Sequence, residues 1–286
     1  MNGNDLGVTL RELRQSKDMT LTDTAKGIVS VPFLSKYERG NSDISATNFL
    51  SLLDRLNVNL REFDEKNHRI NQRSQRVFLH ECNEAVISED TFLLTQLIKR
   101  EQDFLQQDNN YRHEYNIILM QQWLNSINGV PFDNDQVKVI TNYLLQVDDW
   151  SHYELELFNN GVFCFSAETV GFLCKSAFRK ATAFSKLITN RNELALLAIN
   201  VILLLLDRNA LDQIASIIAM AESSLTGTKF YYERNKLNYV KGLYALRTGD
   251  KENGLKLAND AIAIMYSLGS HHDAKAHQDE LKKYLN

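Results

Sequence analysis

Three groups of side chains in this sequence have the types and spacing to do chemistry. The first is Ser30-Val31-Pro32-Phe33-Leu34-Ser35-Lys36, closed by Tyr37-Glu38-Arg39-Gly40. Phe33, Leu34 and Tyr37 form a helical packing face, which turns Ser30, Val31, Pro32, Ser35 and Lys36 outward. Hydroxyls and an ammonium can hydrogen-bond to base edges or phosphates, and small apolar groups can touch thymine methyls. The second group is Trp150, Tyr153, Asn159 and Asn160, joined by Asn200 in an otherwise apolar run. An amide carries donor and acceptor together, which suits the main chain of an extended peptide. The third is Tyr231, Arg234, Asn238 and Tyr239. Aromatics beside a guanidinium suit a carboxylate or acidic group. Each group also has a plain reading: aromatics as core, asparagines as helix caps, Asn200 bonded to a neighbouring carbonyl.

No enzyme is expected. The sequence lacks a Gly-rich phosphate loop, an HExxH pair and a strand–turn–helix context for a Ser/His/Asp set. His271, His272 and His277 have no cysteine or paired carboxylates at ligand spacing, so neither metal nor cofactor is expected. Cys82, Cys164 and Cys174 are odd in number and form no CxxC pair, which fits reduced thiols. The N-terminus is polar, so no secretory leader is expected. The longest apolar run, Leu194 to Leu206, is shorter than the roughly 20 residues of a membrane span. A cytoplasmic protein with no membrane partner follows as the expectation.

The elements that must position these groups are helices. The chain has 286 residues, only two prolines, and apolar residues recurring at helical spacing, which predicts an all-α fold. Its length predicts two domains, 1–66 and 76–286, with a polar linker at 67–75. In the first, Leu6, Leu10 and Leu13 open a helix. Thr20-Leu-Thr-Asp23 reads as a capping box before a short helix with Leu21 and Ala25. Gly27 to Ser30 supplies a turn, Val31 to Arg39 a second short helix, and Gly40 its stop. Ser45 caps a fourth helix, and a fifth lies near Leu60 to Phe63. This is a five-helix, helix-turn-helix pattern whose second short helix has the shape to enter a DNA major groove.

Residues 76–286 read as helix after helix. Polar breaks fall near 88–90, 107–110, 128–131, 147–149, 159–161, 190–192, 207–209, 226–228, 248–250 and 269–270. At 235–268, Gly242, Gly249-Asp250, Ala258 and Ala261 take tetratricopeptide-like spacing, with Ala245 where an aromatic is usual and Gly254 in place of alanine. A tetratricopeptide-like helical array is expected. Net charge is −4, and residues 1–66 hold nine Lys/Arg against ten Asp/Glu. DNA affinity must therefore come from a few placed cations, with Arg69, Arg73 and Arg76 available beside the linker.

Within 6–40 the residues resemble the Cro/C1-type (XRE) helix-turn-helix family. The form Ile28-Val-Ser-Val-Pro-Phe-Leu-Ser-Lys-Tyr-Glu-Arg-Gly40, followed by Asn-Ser-Asp-Ile-Ser45, resembles the narrower Rgg/GadR/MutR regulators. The likeness extends to Asp149–Asn160, Phe230–Arg234 and Tyr239–Gly242. It implies a homodimeric transcription regulator on double-stranded DNA, at an inverted-repeat operator. It implies Arg11, Thr20, Ser30, Val31, Pro32, Ser35 and Lys36 on the DNA side, and an Arg14–Glu38 ion pair locking the first helix to the recognition helix. It further implies that a short signalling peptide lies in a concave groove of the repeats, against Trp150, Tyr153, Asn159, Asn160, Asn200, Tyr231, Arg234, Asn238 and Tyr239. A metabolite or stress signal in place of the peptide, or a protein-interaction scaffold, are the readings it must be separated from.

Overall fold

The computed structural model describes residues 4–67, 75–181, 188–227 and 229–285. The described residues form sixteen α-helices and no strand. The chain divides into two compact units, Met1–Glu84 and Ala85–Asn286.

The first unit holds α1 (Asn4–Ser16), α2 (Leu21–Ala25), α3 (Val31–Glu38), α4 (Ala46–Arg55) and α5 (Leu60–Asn67). The unit boundary falls inside α6 (Gln75–Ile87). Thr20, Ser30 and Ser45 cap α2, α3 and α4 by accepting from the backbone N–H groups of Asp23, Phe33 and Asn48. The capping residues thus set where the short helices begin. Gly27 and Gly40 end α2 and α3 in the left-handed region, at φ +76° and +73°. Leu10, Leu13, Ala25, Leu34, Tyr37, Leu52, Leu53, Leu56 and Phe63 share one core. Burying a side chain such as Leu34 contributes about 1.5–3 kcal/mol, enough to hold helices too short to stand alone. Helix α5 runs on to Asn67, whose buried amide oxygen accepts from the Thr9 hydroxyl at 2.9 Å. The expected linker residues 68–74, Arg69 and Arg73 among them, lie outside the described residues, and of Arg76 only the backbone is described.

The second unit is built of α7 (Thr91–Asp108), α8 (Tyr111–Ile127), α9 (Asn134–Gln146), α10 (His152–Gly161), α11 (Ala167–Lys180), α12 (Ile188–Asp207), α13 (Ile214–Ser224), α14 (Tyr231–Thr248), α15 (Lys251–Ser267) and α16 (His271–Lys282). Most successive helices pack on one another, α7 with α8 and α14 with α15 most extensively; α10 instead packs on α8 and α12, α11 also packs on α9, and α12 packs on α14. The hairpin α7–α8 is tied by a buried Glu101, which meets His113 Nδ1 and Asn116 Nδ2 at 2.7 Å each. In α14–α15 the two backbones touch. A Cβ on Gly242 would lie 2.8 Å from Ala258 N and Gly254 O. This explains why Gly254 stands where the repeat pattern prefers alanine.

The break expected at 190–192 is corrected by the structure: α12 already begins at Ile188, and its asparagines are accommodated within the helix. The preceding helix, α11, ends at Lys180.

Candidate functional site

On α3, Leu34, Tyr37 and Glu38 are buried while Val31, Pro32, Lys36 and Arg39 are exposed and Ser35 is half-buried. Ser30 Oγ accepts from Phe33 N at 3.3 Å, so the hydroxyl caps the helix and keeps its proton to donate outward. Pro32 sits in the first turn, where no N–H is missed. Arg11 and Thr20 are also exposed. Thr20 is engaged locally, its Oγ1 accepting from Asp23 N. On α3 itself, Val31, Pro32 and Lys36 face solvent, and Lys36 is the cation among them.

Behind that surface lies a buried lock. Arg14 Nε and Nη2 donate to Glu38 Oε1 and Oε2 at 2.7 and 2.8 Å, and Nη1 donates to Met19 O at 2.7 Å. Both side chains are at most a tenth exposed. The hydrogen bond to Glu38 raises the Arg14 pKa above its usual value, against the opposing effect of burial. Two parallel bonds fix angle as well as distance, so the pair sets how α3 stands on α1. The backbones meet there too: a Cβ on Gly7 would lie 2.0 Å from Tyr37 O. The Tyr37 hydroxyl is buried without a partner, and burial pushes its pKa up to about 12.

In the second unit the sequence-derived residues separate into three environments. Trp150 is fully buried, its indole N–H donating to Leu144 O at 3.1 Å. Beside it Lys180 Nζ donates to the carbonyls of Leu145 and Val147, both at 2.7 Å. Trp150 therefore belongs to the core junction of α9, α10 and α11 and not to an open wall. Tyr239 is equally buried, its hydroxyl donating to His277 O at 2.7 Å and meeting Glu280 at 3.1 Å. Burial, with Glu280 beside it, drives its pKa well above the usual phenol range. Tyr153 is half-buried among the rings of Tyr111 and Tyr143. Asn160 turns back on its own helix, donating to Glu156 O.

Asn159 and Asn200 form the second environment. Both are exposed, and Asn200 Nδ2 donates to Asn159 Oδ1 at 2.9 Å, joining α10 to α12. Of the two partners expected for Asn200, a neighbouring carbonyl or a ligand, the structure supplies a side-chain amide oxygen, and among the described residues Asn200 lies on an outward stripe of α12. One turn-pair away, His152 meets Glu156 at 3.3 Å and Glu193 at 3.0 Å. Hydrogen bonds to Glu156 and then Glu193 push its pKa up to about 10, so it is a cation between two carboxylates at neutral pH.

The third environment holds Tyr231, Arg234 and Asn238, all exposed. The Arg234 guanidinium donates to Leu225 O, and Lys241 pairs with Glu222 of α13. Arg234 and Lys241 reach α13 and its C-terminal end, while Arg234 and Asn238 also border a cavity with α15 and α16. This environment is separate from the α10–α12 stripe.

The family profile described as "HTH-type transcriptional regulator Rgg, C-terminal domain" matches residues 97–279, more than half of the chain, and a helix-turn-helix profile matches 10–63. The chain belongs to the Rgg family. It is therefore a helix-turn-helix transcription regulator. This Rgg protein is 26% identical to Streptococcus dysgalactiae Rgg2, an SHP pheromone receptor of known crystal structure, over 97% of this chain and 99% of that one, with a TM-score of 0.80. A Listeria monocytogenes structure matches at 21% identity and TM-score 0.84, covering 99% and 97%. PrgX in complex with cCF10 matches at 16% identity and TM-score 0.68, covering 98% and 99%, which shows a shared fold. Among the described residues no helix of the Rgg chain is long and apolar enough to cross a membrane.

Sequence reasoning overlooked two arginines of the first unit. Arg39 extends the exposed stripe of Pro32 and Lys36 by one turn, and its i+3 spacing from Lys36 was the available signal. Arg55, on α4, donates to Asp23 O at 2.7 Å and Lys26 O at 3.0 Å. It holds the last carbonyls of α2 and so steadies the turn before α3. Nothing in local sequence pairs residues 29 and 32 positions apart.

Proposed function

We propose that this Rgg regulator is a cytoplasmic homodimer whose DNA binding is controlled by a short peptide held on the α10–α12 face. The observation that carries this is the Asn159–Asn200 amide bridge on an exposed surface. The bond uses one donor and one acceptor, leaving Asn200 Oδ1 and Asn159 Nδ2 for a ligand. An extended peptide backbone offers the matching N–H and C=O. The pheromone-receptor character of Rgg2 and the peptide complex of PrgX support the same reading. Of the nine residues the sequence suggested, Asn159 and Asn200 are retained for direct contact, with Tyr153 and Asn160 at the margin. Trp150 and Tyr239 shape the scaffold. Tyr231, Arg234 and Asn238 serve a different face.

Short synthetic apolar peptides, fluorescently labelled, are titrated into wild-type protein and into Asn159→Ala and Asn200→Ala. Each substitution is expected to weaken binding about tenfold, the loss of one net hydrogen bond to a ligand. Wild-type affinity in both variants would place the peptide elsewhere.

DNA reading follows from Lys36 and the hydroxyls around it. So few base-reading groups on one helix supply too little specific contact for a genome-wide search. Two copies on half-sites about 34 Å apart supply enough, which calls for an inverted-repeat operator. Lys36→Ala weakens operator binding by about 1–3 kcal/mol if the ammonium meets a base, and lowers the salt slope by about one if it meets a phosphate. A folded variant with unchanged binding removes Lys36 from the interface. Sedimentation as a monomer, with and without DNA, overturns the dimer.

A further inference from the structure

A cavity of about 560 Å³ opens between the start of α14, the end of α15 and the start of α16. That is within the usual range of small-molecule sites, about 300–1,000 Å³. Its walls are apolar: Ile264, Met265, Leu268 and the ring of Tyr231. Leu268 and Tyr231 are each about three-quarters exposed, at 75% and 73%.

The floor carries an unmet hydrogen-bonding group. Asn235 lines the cavity and is nine-tenths buried, at 9% exposure. Its Nδ2 donates to Ala261 O at 3.0 Å. A carbonyl can only accept, so this bond fixes the amide orientation and leaves Oδ1 as the acceptor on the other side. That Oδ1 is buried and has no partner. A buried acceptor without a donor is costly, and a ligand supplying an N–H recovers the loss.

The charges around it define the ligand further. Asp273 lines the same cavity, and among the described residues its carboxylate makes no hydrogen bond or ion pair. Arg234 also lines it and spends one Nη2 bond on Leu225 O, keeping its other N–H groups. An acceptor and a carboxylate call for a cationic donor. A guanidinium calls for a carboxylate. Apolar walls call for a hydrocarbon body.

We propose that this cavity is a second effector site, and that it takes a free α-amino acid with an apolar side chain. The ammonium answers Asn235 Oδ1 and Asp273, the carboxylate answers Arg234, and the side chain covers Ile264, Met265 and Leu268. The site adjoins α13 through Arg234 and lies apart from the Asn159–Asn200 face, so the two ligands do not compete for the same groups. It stands whether or not a peptide binds on α10–α12.

The test uses the full-length protein and calorimetric titration with L-leucine and L-phenylalanine. Two probes each lack one charge: isopentylamine, without the carboxylate, and 4-methylpentanoate, without the ammonium. An apolar amino acid is expected to bind, and its single-charge analogue to bind at least about tenfold more weakly. Asp273→Asn and Asn235→Leu each lower amino-acid affinity by about tenfold or more, while Asn200→Ala leaves it unchanged. Asp273 is half-buried in the first turn of α16, and Asp273→Asn keeps its shape, so that variant is informative even if Asn235→Leu fails to fold. No binding of either amino acid at millimolar concentration overturns the proposal, and so does undiminished binding in Asp273→Asn. If no amino acid binds and Leu268→Asp turns a dimer into a monomer, the face is a contact between two copies of the chain and the proposal fails.

Discussion

The two units place their polar groups in opposite ways. In the first, the decisive pair, Arg14 and Glu38, is buried, doubly bonded and closed to solvent. In the second, the pair proposed to meet the peptide, Asn159 and Asn200, is neutral, singly bonded and open. A buried ion pair contributes geometry more than net stability, because desolvation offsets much of its attraction. An exposed amide pair costs little to break and has spare valences on both sides. The unit that must present one fixed shape to DNA uses the first device. The unit proposed to exchange partners with a ligand carries the second.

That contrast can be broken at several points. The largest effect is expected from Glu38→Ala, which strands a buried guanidinium. About 3–5 kcal/mol of stability should be lost, read as a drop in the melting temperature of the first unit and loss of operator binding. An unchanged melt would mean that the pair is dispensable. Next comes Gly242→Ala. The new Cβ would press on backbone atoms at 2.8 Å, which cannot rotate away, and about 1–3 kcal/mol should be lost. A neutral result by urea denaturation would show that α14 and α15 can part at no cost.

Asn200→Ala sharpens the comparison from the other side. Its stability should stay within about 0.5 kcal/mol of wild type, because an exposed single bond is lost and water replaces it. A destabilisation as large as that of Glu38→Ala would erase the distinction between the units.

The smallest effect concerns His152. Its folded pKa, about 10, lies above the unfolded value of about 6.5. The stabilising contribution is therefore complete below pH about 6.5 and disappears as pH rises toward 10. Solvent screening keeps it small, since the side chain is 59% exposed. His152→Gln should flatten the fall in stability between pH 7 and 10. A wild-type slope in that variant would remove the histidine from the α10–α12 contact.

How much of this was legible in sequence depended on range. The caps at Thr20 and Ser45, the glycine stop at Gly40 and the outward Val31, Pro32 and Lys36 on α3 are local patterns, and they match what the structure places there; that Ser30, read as part of the turn, also caps α3 appears only in the structure. The Arg14–Glu38 pair spans 24 positions and was reachable only through family likeness. On the ligand side, the asparagine types were legible but their environments were not. A sequence shows that Trp150 and Tyr239 are amphipathic; it does not show that Lys180 and His277 come from afar to satisfy and enclose them. Helical phase also misleads over long gaps: Arg234 and Asn238 both border the cavity with α15 and α16, but that Arg234 also reaches the end of α13 is decided by packing. The break misplaced at 190–192 has the same cause, since asparagine weakens a helix only when packing does not override it.

The backbone contact between Gly242 and Gly254 has a consequence in time as well as in space. At that point no side chain separates the two backbones, so the contact itself has no rotamer by which to loosen gradually. The hairpin must open as one cooperative unit, admitting solvent to all its buried amides together. Hydrogen exchange should then show the interior amides of α14 and α15 sharing a single opening free energy. The cavity at the hairpin's open end sits where that event would be felt first, so a ligand there would be read out as slower exchange along both helices.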